Sequence, residues 1–182
     1  LGHGISDVDT GELLSIADGN LYDAQILGIR KGEKGNPGEL SGLIRYEAGN
    51  ILGEISENRK NGIFGTMEAS QLKNMNLEKV PIGYKQDLKT GPASVFCCTD
   101  GEVKEYAAEI TRIDLNHEDS NKSFVIQITD KELLEKTGGI VQGMSGSPVL
   151  QNGKLFGAVT HVFVQDSTSG YGIFIENMMD VA

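Results

Sequence analysis

One serine in this chain is placed to do chemistry: Ser145, within Gly143-Met144-Ser145-Gly146-Ser147-Pro148. A serine hydroxyl is a poor nucleophile at its free pKa and needs a base within hydrogen-bond reach. Flanking glycines let the backbone turn sharply and approach a ligand closely. In such a loop the amides of Gly143 and Ser145 would point at one spot and stabilise a developing oxyanion. The same residues also read as a plain hairpin entry, since Gly, Ser and Pro are ordinary turn residues.

The chain holds three histidines, so the base follows by elimination. His117 lies in the charged stretch Asn116 to Lys122 and reads as solvated. His161 sits in an apolar strand soon after Ser145, too near in sequence to be the usual base. His3, between Gly2 and Gly4 with Asp7 and Asp9 close behind, is the remaining candidate.

Those residues need a scaffold, and the chain spells one made of short strands. Tyr22 to Ile29, Leu40 to Tyr46, Ile51 to Ile55, Gly62 to Met67 and Val80 to Tyr84 carry apolar residues between turn residues. No segment there sustains a 3.6-residue period, so helices should be minor. Gly91-Pro92 marks a boundary between two halves, 1–90 and 91–182. Beyond it, Ala93 to Thr99, Val103 to Leu115, Phe124 to Thr129, Lys154 to Val164 and Tyr171 to Ile175 read as strands, with Asp100-Gly101 and Asn152-Gly153 as turns. Asp166 to Gly170 reads as a loop. Lys131 to Lys136 suits one or two helical turns, with Asp130 near the N-cap. About a dozen short strands point to barrels or a sandwich, an all-β class.

Composition narrows the function classes. A net charge of −10 without a concentrated basic patch argues against nucleic-acid binding, because phosphates would be repelled. Cys97 and Cys98 are adjacent, which suits strand residues and supplies neither a disulfide framework nor metal-ligand spacing. No metal or other cofactor is expected. No apolar run approaches the roughly 18 to 20 residues of a membrane span. The chain starts at Leu1, not methionine, and reads as a processed form or fragment, with any upstream anchor or further domain out of view.

With the order laid out, residues 91–176 resemble the C-terminal barrel of chymotrypsin-like serine peptidases. A closer resemblance covers nearly the whole chain. Leu1-Gly2-His3-Gly4-Ile5-Ser6-Asp7, Gly138 to Pro148, Gly157 to Val164 and Thr168 to Gly172 are similar to the peptidase domain of the SpoIVB family of sporulation serine peptidases. The resemblance implies two Greek-key β-barrels and a serine endopeptidase. It also implies secretion from the forespore into the space between two membranes, with membrane association through an upstream segment and a PDZ domain. The implied protein substrates are the enzyme itself and a membrane-bound inhibitor of the sigma-K processing protease.

The resemblance makes Ser145 the nucleophile, His3 its base and Asp130 the third member. Chymotrypsin-like order would instead draw the acid from the first half, where Glu54 and Glu57 lie; Asp7 and Asp9 are near His3 in sequence, and a pair without a carboxylate also remains open. His161 corresponds to a strand bordering the P1 pocket, where some acid-specific relatives hold a P1 carboxylate; it would serve there or simply pack in the barrel. Met144 stands where trypsin-like enzymes carry an aspartate that pairs with a freed N-terminus, so activation by that ion pair is closed to this chain. Two rivals stand beside the peptidase: a peptidase-shaped barrel that binds a protein without turnover, and a structural spore-coat component.

Overall fold

The computed structural model describes residues 2–7, 9–16, 18–75, 77–116 and 120–179, so the reading of His117 falls outside the described residues. Five strands fill the first half: β1 (Gly19–Tyr22), β2 (Ala24–Arg30), β3 (Glu39–Ile44), β4 (Ile51–Arg59) and β5 (Gly62–Met67), followed by the short helix α1 (Ala69–Asn74). The second half contains β6 (Gly91–Cys98), β7 (Val103–Ile113), β8 (Phe124–Ile128), α2 (Lys131–Thr137), β9 (Pro148–Gln151), β10 (Lys154–Phe163), β11 (Asp166–Phe174) and α3 (Ile175–Met179).

The second half closes an antiparallel six-stranded barrel in the order β10-β11-β8-β7-β6-β9. β6, β7 and β8 follow one another, and the chain then returns to lay β9 beside β6. That is a Greek-key path. The returning connection carries both α2 and the Ser145 loop, so barrel closure fixes where the loop hangs. Inward positions are filled from alternate residues of β7, Tyr106, Ala108 and Ile110, and from Val95, Phe124, Ile126, Val149 and Phe174. Complete burial of one such aliphatic side chain favours folding by about 1.5–3 kcal/mol. Cys97 joins this core and Cys98 is half-buried, both as free thiols.

Strands of the first half make two separate sheets, β1-β4-β5 and β2-β3. The reason is visible in the packing. The buried apolar cluster starts at Leu88, and of the first five strands only Leu40 packs against it. Leu27, Leu43 and Ile44 are left exposed.

Other departures from the sequence reading have local causes. Asp23, whose carboxylate accepts from the Ala24 amide, breaks the expected strand at Tyr22 to Ile29 in two. Val80 to Tyr84 makes a single bridge, Ile82 to Leu155, because Pro81 has no N–H for a ladder. Asp166 to Gly170 belongs to β11, its chain tied down by the Asp166 carboxylate, which accepts from Thr168 and Ser169. Helix α2 forms where expected, with Asp130 accepting from the Leu133 amide as its N-cap.

Candidate active site

The Ser145 loop is shaped before it reaches the serine. Helix α2 stops at Gly138, in the left-handed region at φ 73°, and Gly139 follows at φ 129°. A Cβ on Gly139 would fall 2.1 Å from the Ser167 carbonyl oxygen, so only glycine fits this turn. Ile140 then donates to the Ser167 carbonyl at 2.7 Å. Next the loop is laced to the first half: Gln142 donates to the Gly38 carbonyl and receives the Leu40 amide, both at 2.8 Å. This two-bond tether ties the β3 region to the serine.

Within the loop, amides alternate between engaged and unengaged. Met144 donates to the Val141 carbonyl, Gly146 to Val159 and Ser147 back to Met144, at 3.1, 2.8 and 3.0 Å. Gly143 and Ser145 have no acceptor among the described residues. Gly143, at φ 101°, is exposed to the cleft, and Ser145 is half-buried. Two unengaged N–H groups around a serine hydroxyl can receive an oxyanion. Beneath them Met144 is buried to 1% exposure, its thioether sulfur 3.5 Å from the Val141 amide. An apolar plug thus occupies the position of the trypsin-like ion-pairing aspartate.

His3 reaches this loop because the chain's first residues are pinned between β4 and β10. Gly2 is wedged against Val159, where a Cβ would sit 2.8 Å from the carbonyl oxygen. Gly4 donates to the Lys60 carbonyl at 3.3 Å, and Ile5 exchanges two hydrogen bonds with the Asn58 carboxamide. The Gly2 amide donates to the Ser145 Oγ at 3.3 Å. Nδ1 of His3 lies 2.7 Å from the Gly4 carbonyl oxygen. A carbonyl only accepts, so Nδ1 carries the proton in the neutral ring and Nε2 keeps its lone pair. That is the tautomer a general base requires. The His3 ring stacks on His161 of β10, centroids 4.8 Å apart and planes 27° apart. A cleft of about 480 Å³ is lined by His3, Ser145, Gly143 and His161 together with Gln142, Thr160 and several apolar residues.

The candidate acids lie elsewhere. Asp130 has its carboxylate committed to α2 and β7, accepting from Leu133 at 3.1 Å and Ala107 at 3.3 Å. Asp7 accepts from the amides of Asp9 and Thr10 and from the Thr10 hydroxyl, and the Thr10 bonds hold its carboxyl below the usual range. Glu57 pairs with Arg59. Among the described residues no carboxylate of Asp130, Asp7, Asp9, Glu54 or Glu57 bonds to His3. So Ser145, His3, Gly143 and His161 come together, and Asp130 stands apart from them in this conformation. Sequence reasoning missed the Gly2 amide, the Gly4 carbonyl and the Gly38–Gln142–Leu40 tether. All three act through the backbone, which leaves no mark on residue type. No cluster of three His, Cys, Asp or Glu side chains among the described residues is placed to hold a metal.

Comparison with known protein families agrees with this chemistry. The family model described as SpoIVB peptidase S55 matches residues 1–179. No curated protein matches the chain. Among solved structures, the active form of the Rv3671c protease from M. tuberculosis is similar at a TM-score of 0.49 and 12% identity, over 86% of this chain and 70% of that one.

Proposed function

The chain belongs to the SpoIVB peptidase S55 family, and on that premise we propose that it is an endopeptidase of sporulation signalling which acylates through Ser145 with His3 as base. That it is a serine peptidase is given by the family match. The observation that carries the assignment of residues is the pair of unengaged amides, Gly143 and Ser145, beside a hydroxyl that shares its cleft with a correctly tautomerised imidazole.

In this mechanism the Ser145 Oγ attacks the scissile carbonyl carbon while its proton passes to His3 Nε2. The carbonyl oxygen, now negative, sits between the Gly143 and Ser145 N–H groups. The imidazolium returns the proton to the departing amine nitrogen as the C–N bond breaks, leaving an acyl-enzyme. A water then attacks, loses its proton to Nε2, and the proton returns to Oγ as the acid product departs. Throughout, the Gly4 carbonyl accepts the Nδ1–H bond and keeps the ring in register. The third role falls to Asp130 by family resemblance; its contacts here are those of a helix cap.

The proposed substrates are the enzyme itself and a membrane-bound inhibitor of the sigma-K processing protease, met between the mother-cell and forespore membranes after secretion and with the full-length enzyme membrane-associated. Family membership supports this reading. The direct test is labelling by a serine-reactive fluorophosphonate, together with cleavage of the purified inhibitor. Labelling and cleavage that vanish in Ser145→Ala are expected; cleavage that survives the substitution sinks the assignment.

A further inference from the structure

The cleft beside Ser145 carries an aliphatic group of residues alongside the neutral polar side chains of Gln142 and Thr160 and the two imidazoles. Its apolar lining comes from Ile140 and Val141, both 2% exposed, from Val162 and Val164 on and just beyond β10, and from Pro37 of the first half. No Asp, Glu, Lys or Arg is among the described residues that line it. Gly143 and Ser145 line the same cavity, which puts it next to any acyl group whose oxygen their amides would hold.

Which side chain fits follows from the walls rather than the volume. At about 480 Å³ the cleft admits residues of any size, so volume excludes little. A charged side chain placed among Ile140, Val141 and Val162 would lose its hydration without gaining a partner, which is costly. Among the described lining residues only the imidazoles of His3 and His161 can set a positive charge against a carboxylate, and these are stacked on each other at 4.8 Å; the Gln142 carboxamide is neutral and the Thr160 hydroxyl already donates to the Asn121 carbonyl at 2.7 Å. His3 in addition is required as the base. An aliphatic side chain meets no such cost and gains burial with every methylene.

Resting on the peptidase reading of Ser145, we propose that this cleft is a P1 pocket for uncharged aliphatic side chains, with Ile140, Val162 and Val164 as the residues that set the preference. His161 supports the base from the pocket rim and is no carboxylate receptor.

The test is a peptide library varied at P1, cleaved by the full chain and read as kcat/KM. Val, Leu, Ile or Met at P1 is expected to exceed Asp, Glu, Lys and Arg by about tenfold or more, the scale set by a hydrophobic pocket. Val164→Glu, at a residue already 52% exposed, should keep the fold and raise Lys and Arg relative to Leu. His161→Phe should leave the P1 ranking unchanged. Cleavage that depends on Ser145 yet prefers a charged P1 overturns this inference alone, most directly if His161→Phe removes an acidic preference. Absence of any Ser145-dependent cleavage overturns both this inference and the peptidase assignment.

Discussion

Gly2 donates its main-chain N–H to the Oγ of Ser145 at 3.3 Å, joining positions 143 residues apart. The hydroxyl therefore accepts from the start of the chain, which leaves its own proton free to be donated. Gly2 itself has no room for a side chain: an added Cβ would lie 2.8 Å from the Val159 carbonyl oxygen and 2.9 Å from the Thr160 methyl group.

A methyl group on Gly2 should thus act on catalysis. Gly2→Ala is expected to push the first residues off β10, carrying His3 with them. A misplacement of about 1 Å costs on the order of 10²-fold in rate. Steady-state kinetics should show kcat falling and KM little changed; an unaltered kcat would remove the N-terminal segment from the catalytic geometry.

Gly143 offers a second test. Its φ of 101° is a conformation that alanine adopts only with strain, and an added Cβ would meet Leu40 at 3.1 Å. Strain of this kind costs about 1–3 kcal/mol. Gly143→Ala should also turn one amide away from the oxyanion, lowering kcat by roughly 10²–10³. A thermal melt together with kcat separates the two effects.

Asp130 is predicted to matter first for stability. Asp130→Ala should cost about 1 kcal/mol by uncapping α2, whereas Asp130→Asn keeps an equally good cap. Equilibrium denaturation checks this. Measuring kcat on the well-folded Asp130→Asn variant then isolates catalysis: a fall near 10⁴, the scale of a lost orienting carboxylate, would mean that Asp130 swings to His3 when substrate binds.

The thiols give a pH-dependent prediction. Burial pushes Cys97 up from 9.0 to about 11, with the charges of neighbouring Cys98, Asp100 and Asp130 adding to it and Lys136 opposing. The folded chain holds this proton more tightly than the unfolded one. Its contribution to stability is therefore complete below pH 9 and is lost as pH rises from about 9 to about 11. Under native conditions at pH 8, iodoacetamide should modify half-buried Cys98 well before Cys97. Peptide mapping by mass spectrometry reads the order; equal rates would show that β6 opens.

Much of the site was legible because its instructions are local. Gly143 and Gly146 announce the loop through backbone freedom, and both adopt positive φ. Asp130 followed by Lys131 to Lys136 specifies a capped helix within seven residues, and α2 forms there. Strand β7 alternates buried and exposed positions, and β6, β7 and β8 pair in chain order, so each finds its sequence neighbour. The first half was harder to read. Its strands bury little, their apolar residues do not declare an inward face, and although β4 and β5 form a tight local hairpin, the pairing of β1 with the distant β4 is fixed by no local pattern.

By itself, then, the sequence determined the all-β framework, the glycine-flanked serine loop and the helix that Asp130 caps. Each is written in the types of neighbouring residues. Tertiary structure alone decided that Gly2 and Gly4 would meet Ser145 and His3 through backbone atoms, that His161 would lie against His3, and that Gly38 and Leu40 would hold Gln142. Main-chain N–H and C=O groups are nearly the same in every residue, so which of them meet is set by the closing of the barrel and by the packing of remote segments on it.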